Sequence, residues 1–511
     1  METPPNVPID PVGTWFSFRT MCRYIGPGWL MSLAFIDPGN IEADLQSGAF
    51  TGFTFAYVLV IAHIAGLIIQ TFASRIAVVT GKGLARTCRE QYSCGLSFFL
   101  WVMTELAIIG SDVQEVIGTA VALNLLFGWP IWWGCLVTAG CTIVFLCAYL
   151  LHGIGLIEYG VVGAIGLILG CFSLNFFASN PNYTGLFTGL FVPTFPQTRA
   201  ETVQLVAMIG SVIMPHNLFL HSAIISKRKI NQQDTKAVDQ GIKYFVFDAI
   251  LALSVSFLIN LALQGSFAQG FYSPVCALNP SGPLGCDPSE HAESVGCDLA
   301  RCACITPAGL PGVCTQIGLA NAGDALAGIL PGKATVLFGV GLLAAGQAST
   351  LSGTMAGQFV MEGFLEIKVS FWIRMFVTRG IALIPALAVA LMQTSDIGMN
   401  NLSQSLNVLQ SIQLPFALIP LLHFCSQERI MGKFSVSKKL RLVGWTLALL
   451  LISVNGYIMQ QQFGTAVCSV GGIAYVLLLV YLVTKSIDRT QRTTNEEFKE
   501  PVPVGYVKMV D

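Results

Sequence analysis

Residues 30–50 read LMSLAFIDPGNIEADLQSGAF, and residues 203–225 read VQLVAMIGSVIMPHNLFLHSAII. Both are apolar stretches of membrane-span length. Both carry x-Pro-x-Asn near the middle, as Asp37-Pro38-Gly39-Asn40 in the first and Met214-Pro215-His216-Asn217 in the second. Proline has no N–H and its ring clashes with the preceding turn, so a helix must break at each site. In hydrocarbon, backbone groups freed by a break persist only where protein, an ion or a water-filled cavity receives them. A structural kink would account for the prolines. It does not account for Asp37, because an acid at mid-membrane costs about 2.5–3.5 kcal/mol on the insertion scale. Two broken helices carrying Asp, Asn, Met and His predict a cation site near the bilayer midplane.

Composition supplies the membrane around these breaks. Of 511 residues, 54% are hydrophobic and 11% charged, against roughly 25% charged in soluble domains. Twelve apolar stretches of bilayer length are centred near residues 36, 66, 109, 141, 168, 214, 252, 343, 384, 413, 449 and 475. The weakest boundary lies between the last two, at Gln460-Gln461-Gln462. With the N-terminus in the cytosol, 23 of the 27 Lys and Arg fall in cytosolic segments. Only Arg199, Arg301 and Lys333 lie outside, and Arg379 falls within a span. That asymmetry follows the positive-inside rule. The expectation is an all-α integral membrane protein with 12 transmembrane helices and both termini cytosolic. Cytosolic tails are expected over 1–20 and 487–511, with one membrane domain over 21–486. The polar, proline-rich N-terminus is unlike a cleavable signal peptide.

Six of the fifteen cysteines (Cys276, Cys286, Cys297, Cys302, Cys304 and Cys314) crowd a loop over 265–330 that the charge bias puts outside. An even cluster in an oxidising compartment reads as a disulfide framework of open connectivity. Zinc is the rival reading, although the loop has no C-x-x-C pair and His291 is its only histidine. The sequons at Asn182 and Asn401 fall on expected outer loops and are glycosylation candidates.

The repeated x-Pro-x-Asn in spans 1 and 6 suggests two five-helix repeats, about 21–180 and 200–425, followed by two extra helices over about 440–486. An odd number of helices per repeat inverts the second relative to the first, so that the two breaks face each other. Span 3 carries Glu105, Asp112 and Glu115, and span 9 carries Arg379. Asp112 and Glu115 are three apart and share a helical face. Intramembrane ionisable groups mark a proton relay or pair internally, and both readings stay open. His216 has a near-neutral reference pKa and suits either a proton carrier or a gate. His221 points elsewhere and reads as helix packing or as lining of the inner vestibule.

These motifs resemble the Nramp family of proton-coupled divalent-metal transporters, especially its animal-type branch. The likeness runs through DPGN (Asp37–Asn40), SDVQEVIG (Ser111–Gly118), MPHNLFLHSA (Met214–Ala223), GQASTLSGTMAGQFVMEGF (Gly346–Phe364), TRG (Thr378–Gly380) and LNVLQSIQLPFALIP (Leu406–Pro420). It implies a leucine-transporter-type fold and proton-coupled uptake of Mn²⁺ or Fe²⁺ toward the cytosol. The implied metal ligands are the Asp37 carboxylate, the Asn40 side-chain oxygen, the Met214 sulfur and the backbone carbonyl of Ser211. Asn407 is implied as an occasional further ligand. The implied proton route takes in Asp112, Glu115, His216 and Arg379.

The ligand chemistry agrees with the resemblance. Oxygens alone would serve Mg²⁺, Ca²⁺ and Mn²⁺ alike, whereas a hard alkaline-earth ion gains little from a thioether. Met214 thus tilts the site toward Mn²⁺, Fe²⁺, Co²⁺ and Cd²⁺. Metal ions and protons are expected as transported substrates, with no cofactor, no enzymatic activity and no nucleic-acid partner. The chain is read as functional as a monomer in a plasma or endosomal/lysosomal-type membrane. Two alternatives are a transporter-like metal sensor and a carrier of another small solute. The short C-terminal tail disfavours the first. The second leaves Met214 without a role, and Asp37 would repel an amino-acid carboxylate.

Overall fold

A computed structural model of the chain describes residues 16–152, 154–278, 284–288, 303–330, 333–366, 371–391 and 396–484. Cys297, Cys302 and the tail over 487–511 lie outside the described residues.

Both expected breaks are present. Helix α1 (Pro27–Leu33) stops before the first motif, and α2 (Pro38–Thr51) restarts with Pro38 in its first turn and Asp37 as its N-cap. Proline suits that position because its missing N–H would be unpaired there anyway. Further along the chain come α3 (Ala56–Thr80), α4 (Cys94–Phe127), α5 (Ile131–His152) and α6 (Ile154–Ala178). Helix α7 (Arg199–Val212) opens on a capping box of Thr198 and Glu201 and ends at the second motif. Met214 caps α8 (Pro215–Ser226), again with proline in the first turn. There follow α9 (Thr235–Phe271), α10 (Ala334–Leu365), α11 (Phe371–Leu391), α12 (Asp396–Ser426) and α13 (Lys438–Thr484).

Among the described residues, eight helical stretches are long and apolar enough to cross a membrane, the broken α7–α8 pair counting as one. Ile61, Ile64, Leu167, Leu174, Leu251 and Leu258 stand exposed on their outer faces, as lipid-facing side chains do. One boundary differs from expectation. Helix α13 runs unbroken through Gln460-Gln461-Gln462. Glutamine is a good helix former and no proline interrupts the stretch, so polarity alone does not end the helix. Helix α9 likewise continues to Phe271, past the expected start of the outer loop at 265.

Helix α9 is the scaffold for the first break. Asp248 Oδ2 accepts the Gly28 N–H at 2.6 Å, at the start of α1. Ser256 Oγ donates to the Ser32 carbonyl at 3.3 Å, and Asn260 Nδ2 donates to the Phe35 carbonyl at 2.9 Å. Gln264 Nε2 then reaches Ser47 Oγ at 3.0 Å on α2. Residues 256, 260 and 264 are spaced by four and so form one polar stripe along the helix. A Cβ on Gly28 would lie 2.8 Å from the Asp248 backbone carbonyl, so glycine is what lets α1 sit this close.

The cysteine-rich loop folds as a three-stranded antiparallel sheet of β1 (Gly285–Asp287), β2 (Ala303–Ile305) and β3 (Pro311–Thr315), in the order β1-β3-β2. Disulfides join Cys276 to Cys314 and Cys286 to Cys304, which favours the cystine reading over zinc for these four. The chain after β3 docks on the transmembrane helices. Leu319 N–H donates to Glu42 of α2, Ala320 N–H to Asn400 Oδ1 of α12 at 3.1 Å, and Gln316 Nε2 to Asn401 Oδ1 at 3.0 Å. Asn401, one glycosylation candidate, is thus exposed on α12 with its oxygen engaged. Asn182, the other, is exposed and caps the helix Tyr183–Phe191. The Cys286–Cys304 link closes a separation of 18 residues. On the chain-entropy account, Cys286→Ser should cost the outer loop about 3 kcal/mol. Limited proteolysis against temperature is expected to open the loop earlier in that variant, and non-reducing peptide mapping should recover both pairs in the native chain.

Candidate metal centre

Asn40 ties the two breaks together. Asp37 Oδ1 accepts both the Asn40 backbone N–H at 2.9 Å and its Nδ2 at 2.8 Å. The same Nδ2 donates to the Ser211 carbonyl at 2.9 Å, across a sequence separation of 171, and lies 3.4 Å from the Ala34 carbonyl. A partially positive NH₂ group therefore stands between a carboxylate of the first break and a carbonyl of the second. Asp37, Asn40, Ser211 and Met214 are all buried. Asp37 Oδ2 and Asn40 Oδ1 accept no hydrogen bond from any described residue. Leaving two such oxygens buried and unpaired is costly, and a cation would relieve that cost. The C-terminal ends of α1 and α7 add partial negative charge beside them. Met214 enters from the N-cap of α8, where its thioether makes no capping hydrogen bond.

Asn407 approaches from α12. Its Nδ2 donates to the Gly39 carbonyl at 3.0 Å, and its Oδ1 accepts from Gln114 Nε2 at 2.8 Å. Asp112 and Glu115 are brought together on α4, as their spacing predicts. A Cβ on Gly353 of α10 would lie 3.0 Å from both Asp112 Oδ1 and Glu115 Oε1. Both acids are buried. Arg379 falls on α11 with its side chain outside the described residues. His216 is buried in the first turn of α8. His221 lies one turn further along α8 and pairs with Ser74 of α3, Nε2 to Oγ at 2.9 Å, which fits its reading as packing.

Several buried polar groups near the site carry no role in the sequence reading. Glu42 holds the outer loop through Leu319 N–H and accepts from Gln46 Nε2 at 2.5 Å. Asp44 is buried, and neither of its oxygens accepts a hydrogen bond from a described residue. Asp248 anchors α1, and Gln114 binds Asn407. A signal was present for three of them, since Glu42 and Asp44 sit within the first broken span and Gln114 lies between Asp112 and Glu115. What the sequence lacked was the identity of their partners.

The profile described as Nramp, "Natural resistance-associated macrophage protein-like", matches residues 28–461. The chain belongs to the Nramp family. Metal transporter Nramp3.2 of Populus trichocarpa is 38% identical over 487 residues, covering 92% of this chain and 88% of that protein. Natural resistance-associated macrophage protein 2 of Mus musculus is 40% identical over 487 residues, covering 91% and 81%. Among solved structures, the Eremococcus coleocola manganese transporter bound to an aromatic bis-isothiourea compound is similar, with a TM-score of 0.74 and 28% identity over 94% of this chain and 96% of that one. Mhp1, a nucleobase-cation-symport-1 family transporter, has a TM-score of 0.52 at 14% identity over 87% of this chain and 95% of that one, a likeness of fold alone. Family membership and the apolar spans together make this Nramp chain an integral membrane protein.

Proposed function

We propose that this Nramp chain carries divalent transition-metal ions toward the cytosol by alternating access, in symport with protons. The cargo is Mn²⁺ and Fe²⁺, with Cd²⁺ and Co²⁺ as further substrates. The observation that carries the reading is the junction of the two breaks. Asn40 links the Asp37 carboxylate to the Ser211 carbonyl, unpaired oxygens lie beside it, and Met214 opens the second half-helix. In the loaded state the cation takes the place of the Asn40 NH₂ group. The Asn40 oxygen then turns inward to join Asp37, the Ser211 carbonyl and the Met214 sulfur. One carboxylate gives a site of low charge, suited to release. The manganese transporter and the curated metal transporters among the relatives support this cargo.

Protons take the route of Asp112 and Glu115, with His216 and Arg379 as further members. Support comes from the two acids meeting over one glycine of α10 inside the bundle. The membrane arrangement is two inverted five-helix repeats with one break each, and two further crossings from α13. At 47 residues that helix would span about 70 Å if straight, more than twice the roughly 30 Å hydrocarbon core. Two crossings therefore need this helix, continuous through Gln460–Gln462 in the structure, to turn back within its length. The Lys and Arg bias supports cytosolic termini and an outer cystine loop, and Asn182 and Asn401, both outside that loop, are the glycosylation candidates. The chain acts as a monomer in a plasma or endosomal/lysosomal-type membrane.

Uptake into proteoliposomes tests the whole reading. Wild-type protein is expected to accumulate Mn²⁺, faster with an inward proton gradient, and Asp37→Ala should reduce uptake to background. Substantial Mn²⁺ flux through Asp37→Ala would remove the carboxylate from the site. Met214→Ala is expected to lose discrimination more than turnover, because the remaining oxygens suit Ca²⁺ as well. Calcium in the millimolar range, an order of magnitude typical of weak sites, should then compete with Mn²⁺ uptake more strongly than in wild type. Equal competition in both proteins would reduce Met214 to a packing residue. Asp112→Asn should lower metal-stimulated proton flux and flatten its pH dependence while Mn²⁺ binding persists, since coupled carboxylates titrate as a pair. Simultaneous recording of internal pH and metal uptake reads this out, and unchanged proton flux would favour a static acid–Arg379 network.

A further inference from the structure

Gln114, Asn407 and Gln410 are buried amides at the contact of α4, α12 and the first break. Gln114 Nε2 donates to Asn407 Oδ1 at 2.8 Å, to the Ser403 carbonyl at 3.0 Å and toward Ser403 Oγ at 3.2 Å. Its Oε1 accepts from Gln410 Nε2 at 2.9 Å. Asn407 Nδ2 completes the chain by donating to the Gly39 carbonyl, between Asp37 and Asn40. No side chain intervenes at position 39, where a Cβ would lie 2.8 Å from Gln114 Oε1 and 3.0 Å from Asn407 Oδ1. The amides therefore rest directly on the first turn of α2.

This arrangement fixes which way Asn407 faces. Its NH₂ group is held by the break, and its one oxygen, which would serve a cation, is held by Gln114. An amide oxygen has two lone pairs, and Gln114 Nε2 occupies one of them on Asn407, so a cation recruiting Asn407 must either share its oxygen with that hydrogen bond or displace it.

We propose that Gln114 is a positioning residue that competes with the transported metal for the Asn407 oxygen. Metal arrival thereby breaks one of the hydrogen bonds that join α12 to the helix carrying Asp112 and Glu115, leaving those of Ser403 and Gln410 in place. The proposal rests on the transport reading above. It gives Gln114 a role distinct from that of the two acids beside it. The neighbouring acids exchange protons, while Gln114 reports cation occupancy to their helix through a neutral hydrogen bond.

The sign of the expected effect separates this role from a structural one. Removing the Gln114 donor frees Asn407 Oδ1, so the cation no longer contends with a bond worth a few-fold in affinity. Gln114→Leu, which keeps most of the volume, and Gln114→Ala should each lower KM for Mn²⁺ roughly 2- to 10-fold, the range set by one net hydrogen bond. Maximal flux should depend less on external pH. In an Asn407→Ala background the same substitutions should leave KM unmoved, because the contested oxygen is gone. Gln410→Leu disturbs only the bond that orients Gln114, and it should shift KM the same way by less.

The assay is Mn²⁺ uptake by full-length protein in proteoliposomes, normalised to reconstituted protein, over a range of Mn²⁺ and external pH. A KM that is unchanged or raised in the Gln114 variants would overturn the proposal. So would a fall that persists without Asn407. Should neither Gln114 variant reconstitute, an unchanged KM in Gln410→Leu would overturn it. Absence of Mn²⁺ uptake by the wild type would instead sink the transport reading itself.

Discussion

A carbonyl freed by a broken helix inside hydrocarbon has no water to turn to, and this structure is arranged around that demand. Four backbone positions near the first break are met by α9 or by Asn40. Asp248 takes the Gly28 N–H, while Ser256, Asn260 and Asn40 serve the carbonyls of Ser32, Phe35 and Ala34. Each partner would itself be expensive to bury alone. Bound to the break, it holds the irregular segment in one place. The polar stripe of α9 is thus structural in its immediate effect and functional in consequence, because it fixes the point from which Asp37 and Asn40 project.

The second break is met differently. The Ser211 carbonyl is satisfied by Asn40 of the first break, so the two irregular segments are each other's partners. That reciprocity confines a carboxylate, an amide, a carbonyl and a thioether to one buried locus, with two oxygens left over. Unpaired oxygens are what a scaffold avoids and what a cation site needs. The cysteine-rich loop bears on the same elements. Its backbone is held by Glu42 of α2 and Asn400 of α12, the helices that carry Asn40 and Asn407. Movement of either helix relative to the loop must break these bonds.

Much of this was legible in the sequence because it is local. Proline and its neighbours dictate where a helix stops, and both breaks fall where x-Pro-x-Asn puts them. A spacing of three puts Asp112 and Glu115 on one face whatever surrounds them. The clustered cysteines signal a stapled loop, and the four among the described residues are paired. Polarity proved a poor guide where it was the only cue. The glutamines at 460–462 were read as a boundary, yet glutamine carries a helix well and α13 continues through them.

The sequence by itself determined the membrane class of this Nramp chain, the positions of its two breaks and the donor types gathered there. Each depends on composition, charge bias or chain chemistry within a few residues. Tertiary structure alone decided the partners. Asn260 serves the Phe35 carbonyl from 225 positions away, Gln114 reaches Asn407 across 293, and Asn407 reaches Gly39 across 368. No periodicity encodes such pairings. They arise because packing brings helices distant in sequence into contact, and each buried polar group must then find its partner among the side chains that packing supplies.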